Sequence, residues 1–140
     1  MNSYLLVRSG TARYSLPLEA VVEVVDSDQV FAVPGAHPAV RGVTAVRGRL
    51  VTRVHLAALA GGAAAPVGLS GTLVVVDGGG RNVALEVDDA EGIIREEPAP
   101  VPLEWDVPLT LGVTRHEGGL VPILDLAGVV ERLNATEAVT

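Results

Sequence analysis

The feature that most constrains this chain is that it repeats itself at half its own length. GVTAVRGRLVTRVHLA begins at Gly42 and GVTRHEGGLVPILDLA begins at Gly112, and the two strings agree at eight of sixteen positions. Upstream, LLVRSGTARYSLPLEAVVEVV from Leu5 and VVVDGGGRNVALEVDDAEGII from Val74 bring apolar residues and a turn into register at an offset of sixty-nine. Self-similarity at a fixed period marks supersecondary units that cannot close a core alone and must pack together. A chain of 140 residues built this way is one pseudo-symmetric unit. The approximate lobes are 1–62 and 72–133, joined by an Ala/Gly-rich connection headed by GGAAAP, with strand exchange between lobes open.

The copies differ in charge. No Asp or Glu falls between Asp28 and Asp77, while Arg41, Arg47, Arg49 and Arg53 do, so this span carries +4 in a chain of net charge −7. Such polarity argues for steering or docking of a partner and says nothing about fold. A plain solvated sheet face is the competing reading. In the first copy Arg53 stands where the second has Ile123, and His55 where it has Asp125. An unpaired guanidinium is costly to bury, so Arg53 must be exposed or paired. The expectation is a surface on the first copy that the second hides.

Composition narrows the class further. The acidic balance, the absence of Lys and the scarcity of aromatics make nucleic acid a poor partner. No Cys is present, so no disulfide framework forms. No apolar run of membrane-spanning length and no basic-then-apolar leader pattern appears, which predicts a cytoplasmic chain without membrane insertion. Short Val-rich runs cut by Gly and Pro predict many short strands in small barrels. A hairpin is expected over residues 4–18, with a helical turn or strand over 18–25. A second hairpin follows at 43–54, then a helix over 56–59 ending at Gly61-Gly62. Strands are expected at 72–76, 82–87 and 92–95, a hairpin over 109–124 and a helix over 125–133 capped by Asp125.

Catalytic chemistry has little to stand on. None of the five serines sits in a G-x-S-x-G elbow. Glu86, Asp88, Asp89 and Glu91 could make an acid/base or metal site, but alternation splits them between faces, and a solvated strand end is the favoured reading. His37, His55 and His116 lack ligand spacing. Gly78-Gly79-Gly80 has no following Lys-Ser/Thr and reads as a turn, not a phosphate loop. Trp105 could anchor a contact or plug the seam between lobes.

YSLPLEAVVEVV from Tyr14, VPGAHPAVRGVTAVRGRLVTRVHL from Val33, VALEVDDAEGII and LGVTRHEGGLVPILDLAGVVERL together resemble the CheW-like domain of bacterial chemotaxis coupling proteins. The resemblance runs from Leu5 to Leu133. It implies a mostly β fold: two small five-stranded SH3-like β-barrel lobes, short helices and a C-terminal helix, in a single domain over 1–140. It also implies a non-enzymatic adaptor, without cofactor or metal, that links cytoplasmic chemoreceptor tips to the regulatory domain of a CheA-type histidine kinase in signalling arrays. By position, Arg47 matches the family arginine of receptor and kinase coupling and Glu23 its acidic partner. Val21 and Val46 match apolar contact positions. Gly48, Arg41, Arg49 and Arg53 complete the expected receptor/kinase-binding surface. Ala45-Val46 replaces the usual Asn-Leu, and LVTRVHL replaces VVPV-x-DL. These departures leave open a divergent adaptor that binds receptors but couples weakly or not at all to the kinase.

Overall fold

The structure is a computed structural model that describes residues 1–34, 36–61 and 64–139, with side chains to Asn134. Gly62, placed at the end of the first helix and in the connection, lies outside the described residues. The strands are β1 (Asn2–Ser9), β2 (Ala12–Pro17), β3 (Val21–Asp26), β4 (Val40–Val46), β5 (Arg49–His55), β6 (Thr72–Asp77), β7 (Asn82–Val87), β8 (Asp89–Glu96), β9 (Thr110–His116) and β10 (Gly119–Leu124). Two helices accompany them, α1 (Leu56–Gly61) and α2 (Leu126–Val139). The ambiguous stretch after β2 resolves into one 3-10 turn, Leu18–Ala20, running into β3.

Among the described residues, ten strands form two five-stranded sheets, ordered β8-β1-β2-β10-β9 and β3-β6-β7-β5-β4. Each sheet takes strands from both halves of the sequence. The first hairpin joins strands that follow residue 88, and the β6–β7 hairpin joins strands that precede residue 56. The same join is made twice: β5 runs parallel to β7, with Arg53 opposite Ala84, and β10 runs parallel to β2, with Ile123 opposite Ser15.

The repeated residues have repeated structural duties. Arg47-Gly48 and Glu117-Gly118 are two-residue hairpin turns with positive φ at both positions, the conformation that suits the right-handed twist of the flanking strands. Gly42 and Gly112 sit where the backbone is crossed by another segment. A Cβ would stand 2.1 Å from the Phe31 oxygen in one case and 2.7 Å from the Ala99 oxygen in the other. Those carbonyls belong to matching bridges, Phe31 to Val43 and Ala99 to Val113.

Val-rich β6 is buried on both faces. Val74 and Val76 join the main core between the sheets, along with Leu16, Val54, Leu85 and Leu124. Leu73 and Val75 point the other way, with Val46 and Ala84, into a second core on the inner face of the second sheet. A strand covered on both sides reads as a continuous apolar run without alternation. Asp125 caps α2 as expected, its Oδ1 accepting the Gly128 N–H at 3.0 Å.

Candidate functional site

The expected surface divides into an outward and an inward part. Outward, the β4–β5 turn carries Arg47, whose Nε donates to Glu23 Oε2 at 2.7 Å. The Arg47 side chain is 79% exposed, whereas the Glu23 side chain is only 17% exposed, so the arginine lies over a mostly buried carboxylate. The pair ties the turn to β3, at opposite edges of the second sheet. Gly48 and Arg49 are exposed beside it. Such an exposed pair contributes about 0–1 kcal/mol to stability. Its effect is to orient a planar fork of donors.

Val46 is not available for contact: it is 8% exposed and packs in the second core. Val21 is half-buried against the main core. The exposed apolar residues are instead their neighbours, Val22 at 53% and Val24 at 46% on either side of Glu23, and Leu50 at 67% after Arg49. Strand alternation assigns opposite faces to neighbours but cannot say which is covered. A register shift in β3 between Val21 and Glu23 further obscured the pattern.

Inward, Arg41 and Arg53 are sealed by a carboxylate, contrary to the expected arginine surface. Arg53 is fully buried, and its Nε lies 3.4 Å from Glu86 Oε2. Nη1 donates to the Ser27 carbonyl at 2.8 Å, and Nη2 donates to that of Ser70. Arg41 donates from Nε to Glu86 Oε2 at 2.9 Å and from its two terminal nitrogens to the Pro66 and Gly68 carbonyls at 2.6 and 2.8 Å. Glu86 also accepts the Ser70 N–H at 2.7 Å. The solvated strand end expected for the 86–91 carboxylates therefore fails at Glu86, which is buried. Asp88 instead accepts the Gly10 N–H at 2.6 Å, and Glu91 pairs with Arg13 at 2.7 Å. The knot pins two loops, around residues 27 and 66–70, to the open end of the second sheet. Arg53 is fully sealed in it, and Arg41 keeps only 13% of its side chain exposed with its donors spent on Glu86 and the loop carbonyls.

His55, opposite Glu86 in the β5–β7 ladder, takes the part that Asp125 plays in the other copy. Its Nδ1 accepts the Ala58 N–H at 3.1 Å and caps α1. Burial pushes the imidazole below its usual range, against the opposing pull of Glu86. A neutral ring suits the capping role, since Nδ1 must be free to accept. Trp105 belongs to neither core; half-buried, it lines an open cleft beside the β9–β10 hairpin whose walls come from both halves of the sequence.

Two exchanged five-stranded sheets, an RG turn braced by a β3 carboxylate and a capped terminal helix define a class of double-sheet domain. The CheW-like domain is matched over residues 3–134, and the chain belongs to that family, one of non-enzymatic chemotaxis adaptors. Its fold is similar to that of the scaffolding protein TtCheW from Thermoanaerobacter tengcongensis, with a TM-score of 0.76 at 18% identity over 88% of this chain and 83% of that one. No curated protein sequence matches it. Among the described residues, no helix is long and apolar enough to cross a membrane.

Proposed function

We propose that this chain is a cytoplasmic, non-enzymatic adaptor that grips the tip of a chemoreceptor hairpin and brings it to the regulatory domain of a CheA-type kinase within an array. The receptor-facing surface comprises Glu23, Arg47, Gly48 and Arg49, with Val22, Val24 and Leu50 supplying the apolar contact. The observation that carries this reading is the braced Arg47: an exposed guanidinium held in one orientation by a carboxylate beneath it. Arg41, Arg53 and Val46 are excluded from direct contact because they are committed to the interior. Binding through such a surface is moderate and weakens as salt rises, since exposed charges are screened.

Calorimetric titration of the purified chain with a receptor-tip fragment, and separately with a kinase regulatory domain, tests the proposal. Full coupling gives saturable binding to both. Binding to the receptor fragment alone identifies the receptor-only adaptor. Failure to bind the receptor fragment defeats both versions.

A further inference from the structure

A second surface, made of other residues, is distinguished by its contrast with a copy of itself. Between β2, the loop before β9 and the β9–β10 hairpin lies an open cleft of about 680 Å3, with Tyr14, Trp105 and Leu120 among its apolar walls and Arg13, Asp106 and Glu117 among its charged ones. Arg13 is already neutralised: its Nε and Nη2 donate to the two oxygens of Glu91 at 2.7 and 3.2 Å. Asp106 and Glu117 are exposed at the rim, the latter with His116 Nε2 3.7 Å from its Oε1, and with Arg13 paired to Glu91 these two carboxylates make the cleft acidic. Trp105, the only tryptophan in the chain, is half-buried in its wall.

The repeat places a counterpart beside β5 and the β6–β7 turn, where a cleft of about 550 Å3 is lined by Arg49, Leu50, Arg81 and Asp77. Leu120 answers Leu50, but the counterpart has no aromatic side chain, and its charge is shifted towards positive. The same backbone groove thus occurs twice with different chemistry. An indole face between carboxylates attracts a cation through its quadrupole while the carboxylates supply the charge partner, and desolvation in a cleft strengthens both.

We propose that the Trp105 cleft is a docking groove for a short basic segment of a protein partner, an arginine or lysine stacking on the indole between Asp106 and Glu117 while a neighbouring apolar side chain rests on Leu120. The groove shares no residue with the receptor-facing surface, so the two can be occupied and tested independently.

Because Trp105 is the sole indole, its emission reads occupancy directly. The full chain is titrated with a capped tetrapeptide of alternating leucine and arginine, and with the same peptide carrying glutamate for arginine. The arginine peptide changes the emission saturably, the glutamate peptide does not, and affinity falls as salt is raised. The double variant Asp106→Asn/Glu117→Gln, confined to exposed side chains, weakens binding roughly tenfold, whereas Arg47→Glu leaves it unchanged. Equal responses to both peptides, binding indifferent to the loss of Asp106 and Glu117, or no change in emission with the arginine peptide up to millimolar concentration overturns the proposal.

Discussion

The two sheets share a connectivity and differ in what fills their open ends. In the second sheet, Arg41, Glu86 and Arg53 form a buried ionic knot that reaches out to the carbonyls of Pro66, Gly68, Ser70 and Ser27. At the matching positions of the first sheet stand Leu111, Pro17 and Ile123, lining an open groove of about 740 Å3. One scaffold therefore closes an end with a buried ionic knot and leaves at the other an open groove of mostly apolar residues, with Asn2, Ser3 and Glu19 among its lining. The ionic solution is tolerated because Glu86 lies between the two guanidiniums and offsets one of their charges, while their remaining donors meet loop carbonyls. What it provides is placement of two loops.

The sharpest way to break this comparison is Ile123→Arg. Ile123 is buried, no carboxylate stands at Pro17 to receive the charge, and the groove's one acidic side chain, Glu19, is out in solvent, so urea denaturation is expected to show a loss of about 3–5 kcal/mol or failure to fold. An Ile123→Arg variant as stable as wild type would mean that the first sheet has an unrecognised polar outlet. Next in size is Glu86→Gln, which leaves two guanidiniums without their anion. A loss of about 3 kcal/mol is expected, and Arg53→Ile should cost less in that background than in wild type, because the two residues act as a unit. Additive losses would contradict the knot.

A smaller effect concerns pH. His55 has a depressed folded-state value, so the unfolded chain binds the proton more readily. Its contribution to stability is fully present above the unfolded value of about 6.5 and is lost as pH falls towards the folded value. His55→Asn, which keeps an acceptor for Ala58, should flatten the decline in stability between roughly pH 7 and 5 relative to wild type. An identical pH profile in the variant would remove His55 from the account. The smallest stability effect belongs to Arg47→Glu, expected to shift unfolding by less than about 1 kcal/mol because the guanidinium is mostly in solvent.

Much of the fold was legible because the repeat constrains it: Gly42 and Gly112, the Arg47-Gly48 and Glu117-Gly118 turns, and the Asp125 cap could all be read from aligned strings. Alternation also showed that something unusual happens at Arg53. It could not show what, because the partner Glu86 lies 33 residues away across a parallel ladder that no local pattern encodes. Counting charge along the sequence made residues 28–77 look uncompensated. In space, the carboxylate of the next hairpin sits among them. The Glu23–Arg47 pair came from family resemblance, since spacing alone gave no reason to join those positions. Val22, Val24 and Leu50 were missed because which face of a Val-rich strand is open depends on how the sheet curls.

In the proposed function the exposed, braced Arg47, and not the arginine-rich span as a whole, faces the receptor. Binding of a receptor-tip fragment by wild type and by Arg47→Glu, measured alongside thermal unfolding of each, tests it most directly. The expected result is binding abolished with the unfolding transition nearly unmoved. Retained binding, or binding and fold lost together, would contradict it.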